Sequence, residues 1–211
     1  MDIQVWADVI CPWCYIGKSR LEQALRGDSG TTVTYRAYQL DPAPVPQPIP
    51  LSTALAAKFG GPDRVAQMWA HVREIAAADG LELNFERAIA ANTFDAHRLI
   101  AWAAEQGRQA AMLDALQVAH FTDGVDIGSH PALARVAGMI GLDEAAALGY
   151  LGSTEGVNAV KADIMAARDF GITSVPTFVI ANKYAVQGAQ SVETLQAAFD
   201  EIRRRESVDA G

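Results

Sequence analysis

Cysteine is nearly absent from this chain: 211 residues contain two. That scarcity excludes a disulfide-stapled scaffold, and the chain is long enough to bury a full core without one. Long apolar runs are absent too. No stretch approaches the ~18 uninterrupted apolar residues of a membrane span. The opening Met1-Asp2-Ile3-Gln4-Val5-Trp6 has neither the basic start nor the long apolar segment of an export signal, so a cytoplasmic protein without a membrane partner is expected. Positive charge is scarce, with 17 Lys and Arg against 25 Asp and Glu and a net charge of −8. Such a surface repels phosphate backbones, and no cluster of interleaved basic and aromatic residues overrides this, so no nucleic-acid partner is expected. The one dense basic run, Arg203-Arg204-Arg205, closes a helical pattern where cations suit the helix dipole. Half the residues are hydrophobic, too many for a disordered chain.

The order of segments is informative. Ile3 to Ile10 reads as a strand of β-branched and aromatic residues that runs into Cys11-Pro12-Trp13-Cys14. A helix follows, with Pro12 suited to its first turn, apolar positions through Tyr15 to Arg26, and Gly27 as its cap. Thr32 to Leu40 is the next strand. Between Asp41 and Pro50, prolines at 42, 44, 46, 48 and 50 forbid helix or central strand and predict an extended linker. Seven helical patterns then follow, separated by Gly, Asn or Asp: Ser52–Phe59, Asp63–Ala78, Phe94–Gln106, Gln109–Phe121, Pro131–Ile140, Glu144–Leu151 and Thr154–Phe170. Strand signals return at Thr177–Ala181 and Tyr184–Gln187, a hairpin about Asn182-Lys183, before a closing helix from Ser191 to Arg204.

The two cysteines stand three apart at the start of a helix. Unpaired backbone N–H groups and the dipole at that place favour a thiolate, which is the nucleophilic form, so Cys11 is the expected attacking group. Cys14, one turn inside, is within reach of Cys11 and is the expected resolving thiol. A metal site would need about four ligands. The other soft donors are four scattered histidines, so no metal is expected. Asp123-Gly124-Val125-Asp126 has too few carboxylates for a calcium loop. Trp13 is expected at the surface, where an indole needs a contact to make, and substrate would supply it. Pro12, Asp8 and His97 are the candidates for tuning the dithiol. Asp8 reads first as a strand-end or helix-start carboxylate, but a buried acid there could accept the Cys14 proton. His97 lies on a helix that Asn92 or Thr93 could cap and reads first as a satisfied or surface histidine. The alternative is that its helix faces the cysteines and His97 tunes a thiolate or holds substrate. His71, His120 and His130 are read as structural, and Trp69 and Trp102 as helix core.

Cys11-Pro12-Trp13-Cys14 between strand and helix, a helical insertion, and a distant Val175-Pro176-Thr177-Phe178 resemble the thioredoxin-fold DsbA-like oxidoreductases. The longer stretches Asp8 to Gly17, Asn92 to Arg98 and Tyr184 to Gln190 are similar to the cytosolic FrnE-type branch. The resemblance implies an α/β thioredoxin-like domain built from residues 1–50 and 158–211, with an all-helical domain, 51–157, inserted. It implies a thiol–disulfide oxidoreductase acting on protein or peptide disulfides, with no organic cofactor because the dithiol is itself the redox group. Pro176 then corresponds to the family's cis-proline opposite the cysteines, and Val175, Pro176 and Trp13 would meet the substrate backbone. The 2-hydroxychromene-2-carboxylate isomerases and kappa-class glutathione transferases share the architecture. They carry Ser where Cys11 stands and a charged segment where this chain has Gly188-Ala189-Gln190-Ser191, which makes a glutathione-dependent isomerase the alternative. A redox-sensing peptide-binding holdase is a second.

Overall fold

The computed structural model describes residues 1–209. Its elements are β1 (Asp2–Ala7), α1 (Pro12–Ala24), β2 (Thr32–Ala37), α2 (Leu51–Phe59), α3 (Pro62–Ala78), α4 (Phe94–Ala104), α5 (Gln109–Val118), a π turn (Ala119–Asp123), α6 (His130–Met139), α7 (Glu144–Gly152), α8 (Val157–Asp169), β3 (Thr177–Ile180), β4 (Tyr184–Gln187) and α9 (Val192–Asp209). This is the expected α/β order. The strands form one sheet, β2-β1-β3-β4. β1 runs parallel to β2, with Val5 opposite Tyr35, and antiparallel to β3, with Val5 opposite Phe178. The β3–β4 hairpin turns through Ala181 and Asn182, both at positive φ, which matches the strand twist.

Several boundaries differ from the sequence reading for identifiable reasons. β1 ends at Ala7 rather than Ile10 because the chain turns there, the Cys11 N–H bonding back to the Asp8 carbonyl at 3.2 Å. β2 ends at Ala37 rather than Leu40, whose N–H is taken by the Asp8 carboxylate at 2.8 Å. The helix expected over Gln109–Phe121 stops at Val118 and widens into the π turn. That turn closes at Gly124, φ +71°, where a β-carbon would stand 2.5 Å from the Arg87 carbonyl oxygen. The Arg203–Arg205 run lies inside α9, paired with Asp28, Asp200 and Glu201. The proline-rich segment has no regular structure, but the Asn92 amide donates to the carbonyls of both Pro42 and Ala43 and holds it to the body.

β2 is an edge strand, and the helices finish it. The Gln109 side-chain amide accepts from the Tyr35 N–H and donates to the Tyr35 carbonyl, both at 3.0 Å, as a neighbouring strand would. Asp163 on α8 accepts the Ala37 N–H at 3.1 Å. Side chains thereby satisfy ladder groups that would otherwise template pairing with another chain.

The main apolar core is shared between sheet and helices. Ile3, Val5, Leu21, Phe178 and Phe199 pack in one cluster with Leu99, Met112, Leu116 and Leu133. A second cluster under α2 and α3 joins Tyr15 and Ile16 of α1 to Phe85 and Phe121. Trp69 and Trp102, expected in the core, are only half-buried at its edge, the former stacked on Phe85 and the latter tilted against Tyr150. Among the described residues, no helix is long and apolar enough to cross a membrane.

Candidate active site

Cys11 is the N-cap of α1, with extended backbone and Pro12 in the first turn. Its carbonyl accepts the N–H groups of Cys14 and Tyr15 at 3.0 and 3.2 Å. The side chain is 4% exposed, and its thiol donates to the Val175 carbonyl across 3.9 Å. Cys14, on the inner face of the first turn, is 1% exposed, and both thiols are free. Burial pushes the Cys14 thiol well above its ordinary value, and the hydrogen bond to Cys11 adds to this. The Cys11 charge and the Asp8 carboxylate push the same way, while a hydrogen bond from the Asp8 main chain opposes them. Cys11 therefore caps the helix and Cys14, in its first turn, holds its proton more tightly than a free thiol.

The segment before β3 closes over this helix start. The Val175–Pro176 peptide is cis. Pro176 lies against Gly17, and its carbonyl accepts the Gly188 N–H at 2.8 Å, which ties it to the end of β4. Beside it, Arg20 donates to the Ala189 carbonyl at 2.7 Å and pairs with Asp79. The sequence reading found no charge at 188–190 and missed this guanidinium, which reaches the segment from α1.

Trp13 is half-buried rather than exposed. It packs against both apolar clusters, and its ring lies 6.4 Å from that of His71 on α3. His71, read as structural, is thus an exposed neighbour of the active-site dipeptide. No local pattern announces that contact, because it depends on where α3 docks.

Asp8 and His97 form a buried pair. Asp8 is 0% exposed and His97 5% exposed, with His97 Nε2 standing 3.2 Å from Asp8 Oδ1. Asp8 is thus a buried carboxylate just past the end of β1 and not a helix cap, and His97 is a hydrogen-bonded buried histidine and not a surface one. A sequence signal existed for the acid: it interrupts the apolar run Val5-Trp6-Ala7-Asp8-Val9-Ile10. The segment that carries His97 is a structural hub. Asn92 accepts the Phe94 N–H, whereas the Thr93 hydroxyl is buried without a partner. Asp95 binds both Arg98 and His130, and Arg98 donates to the carbonyls of Tyr150, Leu151, Ser153 and Glu155. His120, in the π turn, is fully buried with neither ring nitrogen partnered, and burial pushes it down to about 4 against the pull of Asp8.

Among the described residues, no three His, Cys, Asp or Glu side chains come together to hold a metal ion. Two clefts of about 340 and 320 Å³ are present, one against β2 with His97 in its wall and one between α2 and α3.

A model of the DSBA-like thioredoxin domain matches residues 2–200. The crystal structure of a "probable DsbA oxidoreductase" from Streptomyces coelicolor is similar with a TM-score of 0.89 and 34% identity, covering 95% of this chain and 89% of that one. The cytosolic disulfide reductase DsbM from Pseudomonas aeruginosa, solved with GSH, matches with a TM-score of 0.69 and 21% identity over 97% of this chain and all of its own, 100%. A 2-hydroxychromene-2-carboxylate isomerase matches with a TM-score of 0.71 and 19% identity, covering 100% of both chains. The last two show likeness of fold.

Proposed function

The chain belongs to the DSBA-like thioredoxin domain family, and from that premise we propose that it carries out thiol–disulfide exchange on protein or peptide disulfides. The observation that carries this reading is two free thiols at the start of one helix: Cys11 caps α1 beside the Val175 carbonyl, and Cys14 lies in the first turn. In the reductive direction the Cys11 sulfur attacks a substrate disulfide. A Cys11–substrate S–S bond forms, and one substrate sulfur leaves as a thiolate that takes a proton. The Cys14 sulfur then attacks Cys11, the Cys11–Cys14 bond forms, and the second substrate thiol is released. The reverse sequence oxidises a substrate dithiol.

Val175, Pro176 and Trp13 form the proposed rim for substrate, Val175 offering main-chain groups and Trp13 apolar area. Residues 1–50 and 158–211 are the proposed thioredoxin-like domain and 51–157 the helical insertion. A cytoplasmic site of action accords with the name of the similar cytosolic reductase. The isomerase alternative has less support, because a thiol stands at position 11 and Arg20, which reaches the Ala189 carbonyl, is also engaged by Asp79.

The test is trapping. Cys14→Ser accumulates a mixed disulfide with a disulfide peptide, Cys11→Ser forms none, and neither turns over. Equal adduct yield on Cys14 in the Cys11→Ser protein would reverse the roles. Glutathione-dependent isomerisation of 2-hydroxychromene-2-carboxylate that survives Cys11→Ser, with no disulfide turnover, would establish the alternative.

A further inference from the structure

Helix α3 carries a stripe of which its packing uses only one end. Arg64, Met68, His71, Ile75 and Asp79 recur at intervals of three and four and therefore share one face of the helix. The C-terminal part of that face lies along α1. His71 meets Trp13, Ile75 and Trp13 pack against the same apolar cluster, and Asp79 pairs with Arg20. From Trp13 to Arg20 on α1 and from His71 to Asp79 on α3 the chain advances by nearly the same length, so the two helices run side by side in the same direction.

Their starts are not level. α1 begins at Pro12, beside Trp13, whereas α3 begins at Pro62, more than two turns before His71. On the helical rise, Met68 stands about 4–5 Å and Arg64 about 10 Å beyond the level of His71, past the end of α1 that Cys11 caps. Both residues are exposed, Met68 by 42%. Among the described residues Arg64 makes no ion pair. The other charges here are committed or turned away: Lys58 at the end of α2 pairs with Asp41, Arg73 pairs with Glu86, and helical spacing puts Asp63 and Glu74 on the outward side of α3. On a chain of net charge −8, an unpaired cation and an exposed thioether thus stand in front of the dithiol.

We propose that Arg64 and Met68 determine substrate specificity, and that the site takes disulfide peptides with an acidic side chain about three residues from the cysteine. The inference rests on the exchange reading above and names its substrate class. The spacing follows from chain geometry: an extended peptide advances about 3.3 Å per residue, so with its cysteine at Cys11 its third neighbour comes level with Arg64. There the guanidinium can take a carboxylate through two parallel hydrogen bonds. Met68, between Arg64 and Trp13 along the stripe, offers a flexible apolar surface to the residues in between. Neither side chain touches the reacting sulfurs. Their effect falls on capture of the peptide rather than on sulfur exchange.

The experiment measures the second-order rate at which the reduced protein reduces a set of peptide disulfides carrying Glu, Gln or Lys three residues to either side of the cysteine, with hydroxyethyl disulfide as a chargeless probe. At low salt the Glu peptides are expected to react roughly threefold to tenfold faster than the Lys peptides, and the gap narrows at high salt. Arg64→Gln removes the preference and Arg64→Glu reverses it. Met68→Ala slows peptides with leucine between cysteine and acid more than those with glycine there. Ala70→Glu changes the net charge as much as Arg64→Gln but on the outward side of α3, and it keeps the wild-type order. An unchanged Glu-to-Lys ratio in Arg64→Glu would overturn the proposal. So would an Ala70→Glu effect equal to that of Arg64→Gln, which would assign the preference to overall charge. A wild type that reduces hydroxyethyl disulfide but treats the Glu and Lys peptides alike overturns this inference alone. One that reduces neither probe overturns the exchange reading itself.

Discussion

Gly17 and Pro176 meet so closely that a β-carbon on Gly17 would lie 2.7 Å from Pro176 Cγ, and 3.5 Å from both Ala189 Cα and Phe178 Cζ. Glycine inside a helix ordinarily costs about 1 kcal/mol relative to alanine. Here the missing side chain lets α1 pack directly on the residue that follows Val175, and a proline ring cannot swing aside. Gly17→Ala is therefore expected to destabilise by about 1–3 kcal/mol, as overpacking does. It is also expected to slow peptide-disulfide reduction by displacing Val175 from Cys11. Urea unfolding and a turnover assay check both, and a Gly17→Ala protein more stable than wild type would refute the contact.

The raised Cys14 thiol makes stability depend on pH with a definite sign. Folded Cys14 holds its proton more tightly than the unfolded thiol, which titrates near about 8.5. Above that pH the unfolded chain binds fewer protons than the native one, so stability is full at neutral pH and falls as pH rises. Reduced wild type should lose stability between pH 8 and 10 more steeply than reduced Cys14→Ser, and oxidised wild type should lack this component. Urea midpoints at pH 7, 8, 9 and 10 measure it. Identical slopes for reduced wild type and Cys14→Ser would contradict the burial argument.

Arg98 is 3% exposed, and its guanidinium reaches four main-chain carbonyls and Asp95. Arg98→Met strands those acceptors, and breaking such a buried charged network is expected to cost about 3–5 kcal/mol. Arg98→Lys should rescue little, because one ammonium cannot span a planar fork of donors. Thermal unfolding of both variants tests this. A loss under about 1 kcal/mol in Arg98→Met would show that water replaces the guanidinium.

Local chemistry alone made much of this molecule legible. The strand before Cys11, the helix that Pro12 opens, the proline-rich linker, the Ala-rich helices and the closing hairpin all follow from periodicity and backbone preference, which act over a few residues. The dithiol, with one cysteine capping the helix and the other a turn inside, is legible for the same reason. Tertiary structure decided what these pieces meet. Asp8 and His97 are 89 positions apart, and whether an acid in an apolar run finds a donor depends on how α4 docks. Trp13 is half-buried because α3 lies across it, and the edge of β2 is closed by Gln109, 74 residues from Tyr35. Sequence pattern determines which face of an element turns inward. The partner of a buried polar group is settled only when distant elements pack, because a hydrogen bond needs its donor and acceptor within about 3 Å and in line.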